Sequence, residues 1–372
     1  MKRFIVLYTM LYICLNFLAI LLQGNRLISL IREGYIITLF FLLIATNLKH
    51  LFINKTISLI LLYIIINLIS LFISSNKNEA VMSFFLFSSG PVIFLLLYNF
   101  NFDNQLYSNI KKKIFKLFFF FVISGLIIYP FQLQFCNLIN HDPTMLYRWG
   151  KNGKLWLRLG GLSLHPTIMG AVCIFLLLYL WFYRRKKETI ISLIAYYYTN
   201  TRTVLFGLPF AFFYYQSFKR KIFFSLLAIP IVMCGVIFFL NYNFDPSAII
   251  HFIDVFIEGP KMILNNFSLL GIGHGMMSPY TSRSAFIHLE SDLYIMMMQI
   301  GIIGFLVYFC LICRIIHILR KDGNEYSKYC LYLVFIFNIG SIFFPFHTIR
   351  FLSNYVWIEL GFYFSYRRSL CR

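Results

Sequence analysis

Acidic residues are scarce in this chain. Thirteen Asp and Glu stand among 372 residues, and charge of either sign accounts for only 12%. A soluble globular domain carries roughly 25% charged residues, so a water-facing surface is excluded for most of the sequence. Proline is also thin, ten in all, which leaves long stretches free to be helical. With so few acids there is no HExxH, no DxD and no closely spaced ligand set of the kind zinc or magnesium requires. No metal and no cofactor is therefore expected. A serine nucleophile elbow is missing, and the glycines at 271, 273 and 275 do not follow a strand in a βαβ unit; serine-triad and dinucleotide folds are excluded. Nor do the eight cysteines form a disulfide framework. "CLIC" at 310–313 has redox or metal spacing but lies in an apolar helix, where it reads as small apolar filler.

Apolar runs take the place of all this. Sixty per cent of residues are hydrophobic and the mean hydropathy is +0.77. Long apolar blocks separated by short polar clusters are the pattern of membrane-spanning helices. Spans are expected at 4–22, 35–48, 56–73, 80–98, 114–135, 162–183, 189–199, 203–218, 222–241, 293–312, 327–344 and 351–365. The chain is thus expected to be a single all-α, polytopic membrane domain over 1–372, with about 12 transmembrane helices. The opening "MKRFIVLYTMLYICLNFLAILL" lacks a small-residue cleavage site and reads as a retained first helix.

The net charge of +20 first suggests nucleic acid, but its distribution argues otherwise. With both termini cytoplasmic, 22 of the 33 basic residues fall on the inner side, among them Lys111–Lys113, "RRKK" at 184–187 and "KRK" at 219–221. The opposite orientation would place them outside, against the positive-inside rule. The charge is a topology signal, and no nucleic-acid partner is expected.

Two outer connections are long: 136–161, and 242–292 with an amphipathic stretch read as a surface helix. Function tends to sit in such loops. The first holds Arg148, Lys151, Lys154 and Arg158; the three before Arg158 read as a solvated loop. Arg202 sits at a hairpin tip pinned outward by its basic feet, where a lone arginine suits a protein interior or an anionic ligand. In "TSRSAFIHLESDLYIMMMQIGIIGF", 281–305, Arg283, His288, Glu290 and Asp292 precede an apolar run. On a helix His288 and Asp292 would share one face, with Gln299 farther along the stripe. A carboxylate-tuned histidine suits general-base work; a helix start with Ser291 or Asp292 in its first turn is the structural alternative. His165 precedes Pro166 at an expected helix start. Glu359, inside a span, should face the bundle and pair with a polar group.

Three segments together resemble the O-antigen polymerases and related O-antigen ligases of Gram-negative bacteria. "RLGGLSLHPTIMGA", 158–171, looks like the family's arginine-then-glycine stretch before a span. "TNTRTVLFGL", 199–208, is similar to its "SR" hairpin tip. "LLGIGHG…HLESDLYIMMMQIGIIG", 269–304, resembles the stretch that closes its large periplasmic loop. The resemblance implies a metal-independent glycosyltransferase of the bacterial inner membrane, acting at the periplasmic face. It would join undecaprenyl-pyrophosphate-linked repeat units, with membrane lipid and a chain-length regulator protein as partners. Arg158, Arg202 and Arg283 would then hold the departing pyrophosphate. His288 would take the acceptor proton, with Glu290 or Asp292 as its orienter or substitute, and His165 would stand behind them. Polymerase is preferred over ligase, which would differ in using a lipid A core acceptor. A lipid-linked oligosaccharide flippase is the rival of another class; it would distribute charge along a central cavity, whereas this chain concentrates polar groups on one face.

Overall fold

The computed structural model describes residues 54–100, 102–138, 143–149, 155–183, 185–199, 201, 268–274, 291–343 and 350–370, with scattered positions in 6–15, 31–41 and 257–265. The main helices are α1 Lys55–Ile73, α2 Lys77–Tyr98, α3 Asn104–Ile128, α4 Gln132–Leu138, α5 Pro166–Tyr183, α6 Lys186–Thr199, α7 Asp292–Asp322, α8 Glu325–Phe343 and α9 Arg350–Leu370. Their starts follow local chemistry. The Asn54 side chain accepts from Thr56 N, and Asp103 accepts from Leu106 N at 2.7 Å, each satisfying an orphan donor of the first turn. α5 opens on Pro166, which lacks the donor that position would waste. α7 ends with Arg320 and Lys321 against its negative pole and Gly323 in the left-handed region at φ 60°.

The expected spans from 56 to 98, 114 to 199 and 293 to 365 correspond to helices, most ends shifted by a few residues; α3 starts at Asn104 rather than 114 and α7 runs on to Asp322 rather than 312. Four stretches are long and apolar enough to cross a membrane, Lys55–Ile73, Lys77–Tyr98, Asn104–Leu138 and Asp292–Asp322; Pro166–Phe182 is apolar but shorter. The expected segments 203–218 and 222–241 lie outside the described residues. One departure from an all-helical chain is a small antiparallel ribbon in the first long loop, β1 Tyr147–Trp149 and β2 Leu155–Leu157, with Arg148 opposite Trp156.

Several helices have two apolar faces, one buried and one exposed. On α1, Ile57, Ile60, Tyr63 and Ile66 recur at helical spacing and are buried, while Leu62, Ile65, Leu68, Ile69 and Phe72 are exposed. α7 likewise exposes Ile303, Leu306 and Phe309, and α6 exposes Ile190, Leu193 and Ile194. A water-soluble monomer rarely shows contiguous apolar surface of this extent. These helices have the surface of a membrane-embedded protein.

Contacts fix the order of the bundle. α1 packs antiparallel on α7, Ser70 meeting Gln299 and Tyr63 meeting Tyr308. α8 packs on α7 through Tyr308 and Asn338, and its beginning meets the end of α5 through Tyr329 and Phe182. α2 and α9 run parallel in close contact: Ser89 donates to Asn354, Trp357 covers Gly90, and Arg368 donates to the Asn99 carbonyl. A side chain at Gly90 would collide with the Trp357 indole, so this pair depends on having none there.

The two ends of the bundle differ. One end gathers Lys55, Lys112, Lys113, Arg185, Lys186, Lys187, Arg320, Lys321, Lys328 and Arg367. The other holds the start of α7, the start of α5 and the end of α6. Lys111, counted among the inner topology charges, also has a structural partner. It is buried and forms an ion pair with Glu359 of α9, its ammonium 4.0 Å from the Tyr329 ring centroid. Glu359 also accepts from Tyr355 Oη at 2.9 Å, and Tyr355 bonds Tyr329 Oη at 2.7 Å. The expectation that Glu359 faces the bundle and pairs there is met. Arg367, two turns on, pairs instead with Asp322. The polar groups are accordingly less confined to one face than the sequence suggests.

Candidate functional site

Two polar clusters occupy the end opposite the basic residues, and α8 packs between the helices that carry them. The first is built on Arg158. Its backbone N–H donates to the Leu146 carbonyl and its carbonyl accepts from Gln132 Nε2 at 2.6 Å. Gln132 Oε1 also accepts from Gly160 N, so one amide clamps both sides of "RLG". The guanidinium reaches the hairpin tip, with Nε donating to the Thr199 carbonyl at 3.0 Å and Nη2 to Thr201 Oγ1 at 3.4 Å. Thr201 Oγ1 in turn donates to the Pro166 carbonyl. Gly170 allows this approach, because a Cβ there would stand 2.8 Å from that of Thr201. His165 is half-buried before α5, its N–H accepted by Ser163 Oγ at 3.4 Å and its carbonyl bonded by Met169 N. The first two sequence segments therefore meet: Arg158 and His165 flank Thr201, the residue before Arg202.

The second cluster forms where α7 is broken. Gly301 takes φ 71° and ψ 179° inside the helix, dividing it into a short half from Asp292 and a long half to Asp322. Within apolar surroundings the backbone groups freed by such a break need partners. Residues 268–274 supply them by lying alongside: Ile272 N donates to the Met298 carbonyl at 2.8 Å, and Ile303 N donates to the Leu269 carbonyl at 3.2 Å. Ser70 Oγ donates to the Gln299 carbonyl at 2.6 Å. The glycines of "GIGHG" are explained here. Gly271 and Gly273 both have positive φ and approach backbone, Gly271 that of Gln299–Gly301 and Gly273 that of Ser74. They serve helix docking.

His274 ends this segment and is fully buried. Its N–H donates to the Ser70 carbonyl, and its carbonyl accepts from Ser74 Oγ at 2.6 Å. Ring Nδ1 lies 3.2 Å from Ser83 Oγ and 3.3 Å from Gln299 Oε1, which also accepts from Ser83 Oγ at 3.0 Å. A hydrogen on Nδ1 satisfies this triangle. Phe87 stacks on the ring at 5.8 Å between centroids. Burial lowers the His274 pKa to about 4, while hydrogen bonding to Gln299 and the Asn67 backbone pulls the other way. The imidazole is thus neutral at physiological pH. No residue pattern marked His274 in the sequence, where it sat inside a glycine-rich stretch; a histidine directly after two glycines that dock on backbone was the available signal.

That shift has a sign. A folded pKa of about 4 below the ordinary 6.5 means that the unfolded chain binds the proton first as pH falls. The neutral ring's stabilisation is whole above pH 6.5 and is lost on descending toward pH 4. Its size is on the order of 3 kcal/mol at about 1.4 kcal/mol per unit. Unfolding midpoints between pH 7.5 and 4.5 should fall in the parent protein and fall less steeply in His274→Gln; equal slopes would refute the assignment.

Asp292 is the first residue of α7 and is fully buried, close enough to Tyr63 and Tyr308 to act on both electrostatically. Ser291 before it is extended at φ −113° and ψ 117°. The helix thus starts at Asp292 with Ser291 before it, as the structural alternative had it, and the expected pairing of His288 with Asp292 involves a residue outside the described ones. Asp292 and Gln299, seven apart, do share the buried face of the short half-helix. Arg202, Arg283, His288 and Glu290 lie outside the described residues. Among the described residues no group of three or more His, Cys, Asp or Glu could hold a metal ion. Neither a protein-family model nor any curated protein matches this sequence.

Proposed function

We propose that this chain is a multi-pass glycosyltransferase of the bacterial inner membrane that polymerises O-antigen or a related surface polysaccharide from undecaprenyl-pyrophosphate-linked repeat units. The observation that carries the reading is the Arg158 guanidinium bonded to Thr199 and Thr201, which brings two arginine-bearing segments together at the end away from the basic residues. Under the positive-inside rule that end is periplasmic, where lipid-linked repeats are displayed.

The chemistry follows from charge. A departing polyprenyl pyrophosphate develops negative charge that fixed guanidinium groups stabilise well in a partly desolvated site. Arg158 and Arg202 would hold it, with Arg283 closing from the large loop. A base then removes the proton of the acceptor hydroxyl as that oxygen attacks the donor's anomeric carbon and the bond to pyrophosphate breaks. His288 takes that role, with Glu290 or Asp292 beside it. Pyrophosphate is a good leaving group, so no general acid is required.

The test is complementation of a polymerase-null strain of the same serotype. Wild-type protein should restore a ladder of chain lengths. Arg158→Ala, Arg202→Ala and His288→Ala should insert normally and leave single-repeat O-antigen, with turnover down roughly 100-fold or more, the scale for losing one charge-stabilising donor. Arg158→Lys keeps the charge but loses the planar fork and should remain well below wild type. A normal ladder from all three alanine variants would reject the site. Transfer to lipid A core without elongation would make the protein a ligase.

A further inference from the structure

His274 joins three helices at once. Its backbone bonds α1 through Ser70 and Ser74, and its ring bonds α2 through Ser83 and α7 through Gln299. A buried leucine would fill this space without any polar group to desolvate. What an imidazole adds is direction, since Nδ1 bonded to Ser83 and Gln299 favours the one arrangement that keeps both bonds.

The direction matters because of Gly301. Its non-helical backbone uncouples the half-helix 292–300 from the long half that is anchored against α1 and α8. The rotation of that short half about its own axis is then set by side contacts: its Met298 and Gln299 carbonyls accept from Ile272 N and Ser70 Oγ, and the Gln299 amide bonds Ser83 and His274. Asp292 lies two turns away on the same buried face.

We infer that His274 is a positioning residue: through Gln299 and Ser83 it fixes the rotation of the 292–300 half-helix, and with it the facing of Asp292. The inference rests on the polymerase reading for its catalytic consequence but not for its structural one. His274 is fully buried and does not itself touch substrate.

Full-length protein in proteoliposomes, supplied with a purified undecaprenyl-pyrophosphate-linked repeat unit, separates the two. Leu293, half-buried beside Asp292, is replaced by cysteine, and its labelling by a membrane-impermeant maleimide is followed by peptide mass spectrometry. His274→Leu should change that labelling rate at least five-fold and lower kcat at least 30-fold at little changed KM. Gln299→Leu should reproduce both effects. His274→Gln, which keeps an amide donor and acceptor, should recover most of each. Wild-type labelling and wild-type kcat in both leucine variants would overturn the inference. If His274→Leu does not fold, Gln299→Leu against Gln299→Glu carries the same comparison. Altered labelling together with no polymer from the parent protein would sustain the positioning role and reject the polymerase.

Discussion

Gly301→Ala should unfold or severely loosen the protein, while Gly323→Ala, also at positive φ, should be tolerated. Both glycines have positive φ, but Gly301 at φ 71° and ψ 179° lies where essentially only glycine is found, whereas Gly323 at φ 60° and ψ 1° is in the left-handed region that alanine enters at a cost of about 1 kcal/mol. Their surroundings differ. A Cβ at Gly301 would overlap the Gly271 nitrogen and the Leu269 carbonyl, which are backbone atoms paired to the broken helix. At Gly323 the nearest atom is the Arg320 carbonyl oxygen, 3.9 Å away. Displacing the 268–274 segment would release the hydrogen bonds at Met298 and Ile303 as well, for a total cost of roughly 3 kcal/mol or more. Thermal unfolding in detergent, followed by size-exclusion fluorescence, reads the difference. Equal midpoints for the two variants would mean that the docked segment is not holding the break.

The second large effect is expected at the Lys111–Glu359 pair. Lys111→Met or Glu359→Leu alone leaves one charge buried without its partner, a loss of about 3–5 kcal/mol. Tyr329, Tyr355 and Cys330 surround the pair and supply no replacement cation or carboxylate. Removing both charges in Lys111→Met/Glu359→Leu removes the penalty too, and the double variant should come within about 1–2 kcal/mol of the parent. A cycle measured on unfolding midpoints checks this. Additive losses would show that the two groups are not coupled.

The helices were legible because their signals are local. Apolar length, basic ends and caps such as Asn54, Asp103 and Pro166 depend on neighbours within one turn. Glu359 was legible as paired because an acid within a span has no cheaper option, but its partner was not. Nothing along 250 residues of chain points from Glu359 to Lys111, and the lysine's place in a basic run disguised it as a topology marker. The two arginine segments converge as their order suggested. The start of α7 was legible as well, because Ser291 and Asp292 are residue types that suit a first turn, and the helix begins there. His274 stayed hidden. Its role comes from Gly301, whose backbone turn places Gln299 beside it, and a helical reading runs straight through that glycine.

The parallel pairing of α2 with α9 has a consequence for biogenesis. α2 leaves the ribosome with its hydroxyls at Ser83, Ser88 and Ser89 and the bare backbone at Gly90, while much of its permanent cover, the Asn354–Trp357 turn, is still untranslated. At about 5–20 residues per second the wait for α9 is roughly 10 to 50 seconds. During that interval the nascent helix must be sheltered by the insertion machinery or a temporary neighbour, so the quality-control window for this protein opens early and stays open until α9 arrives.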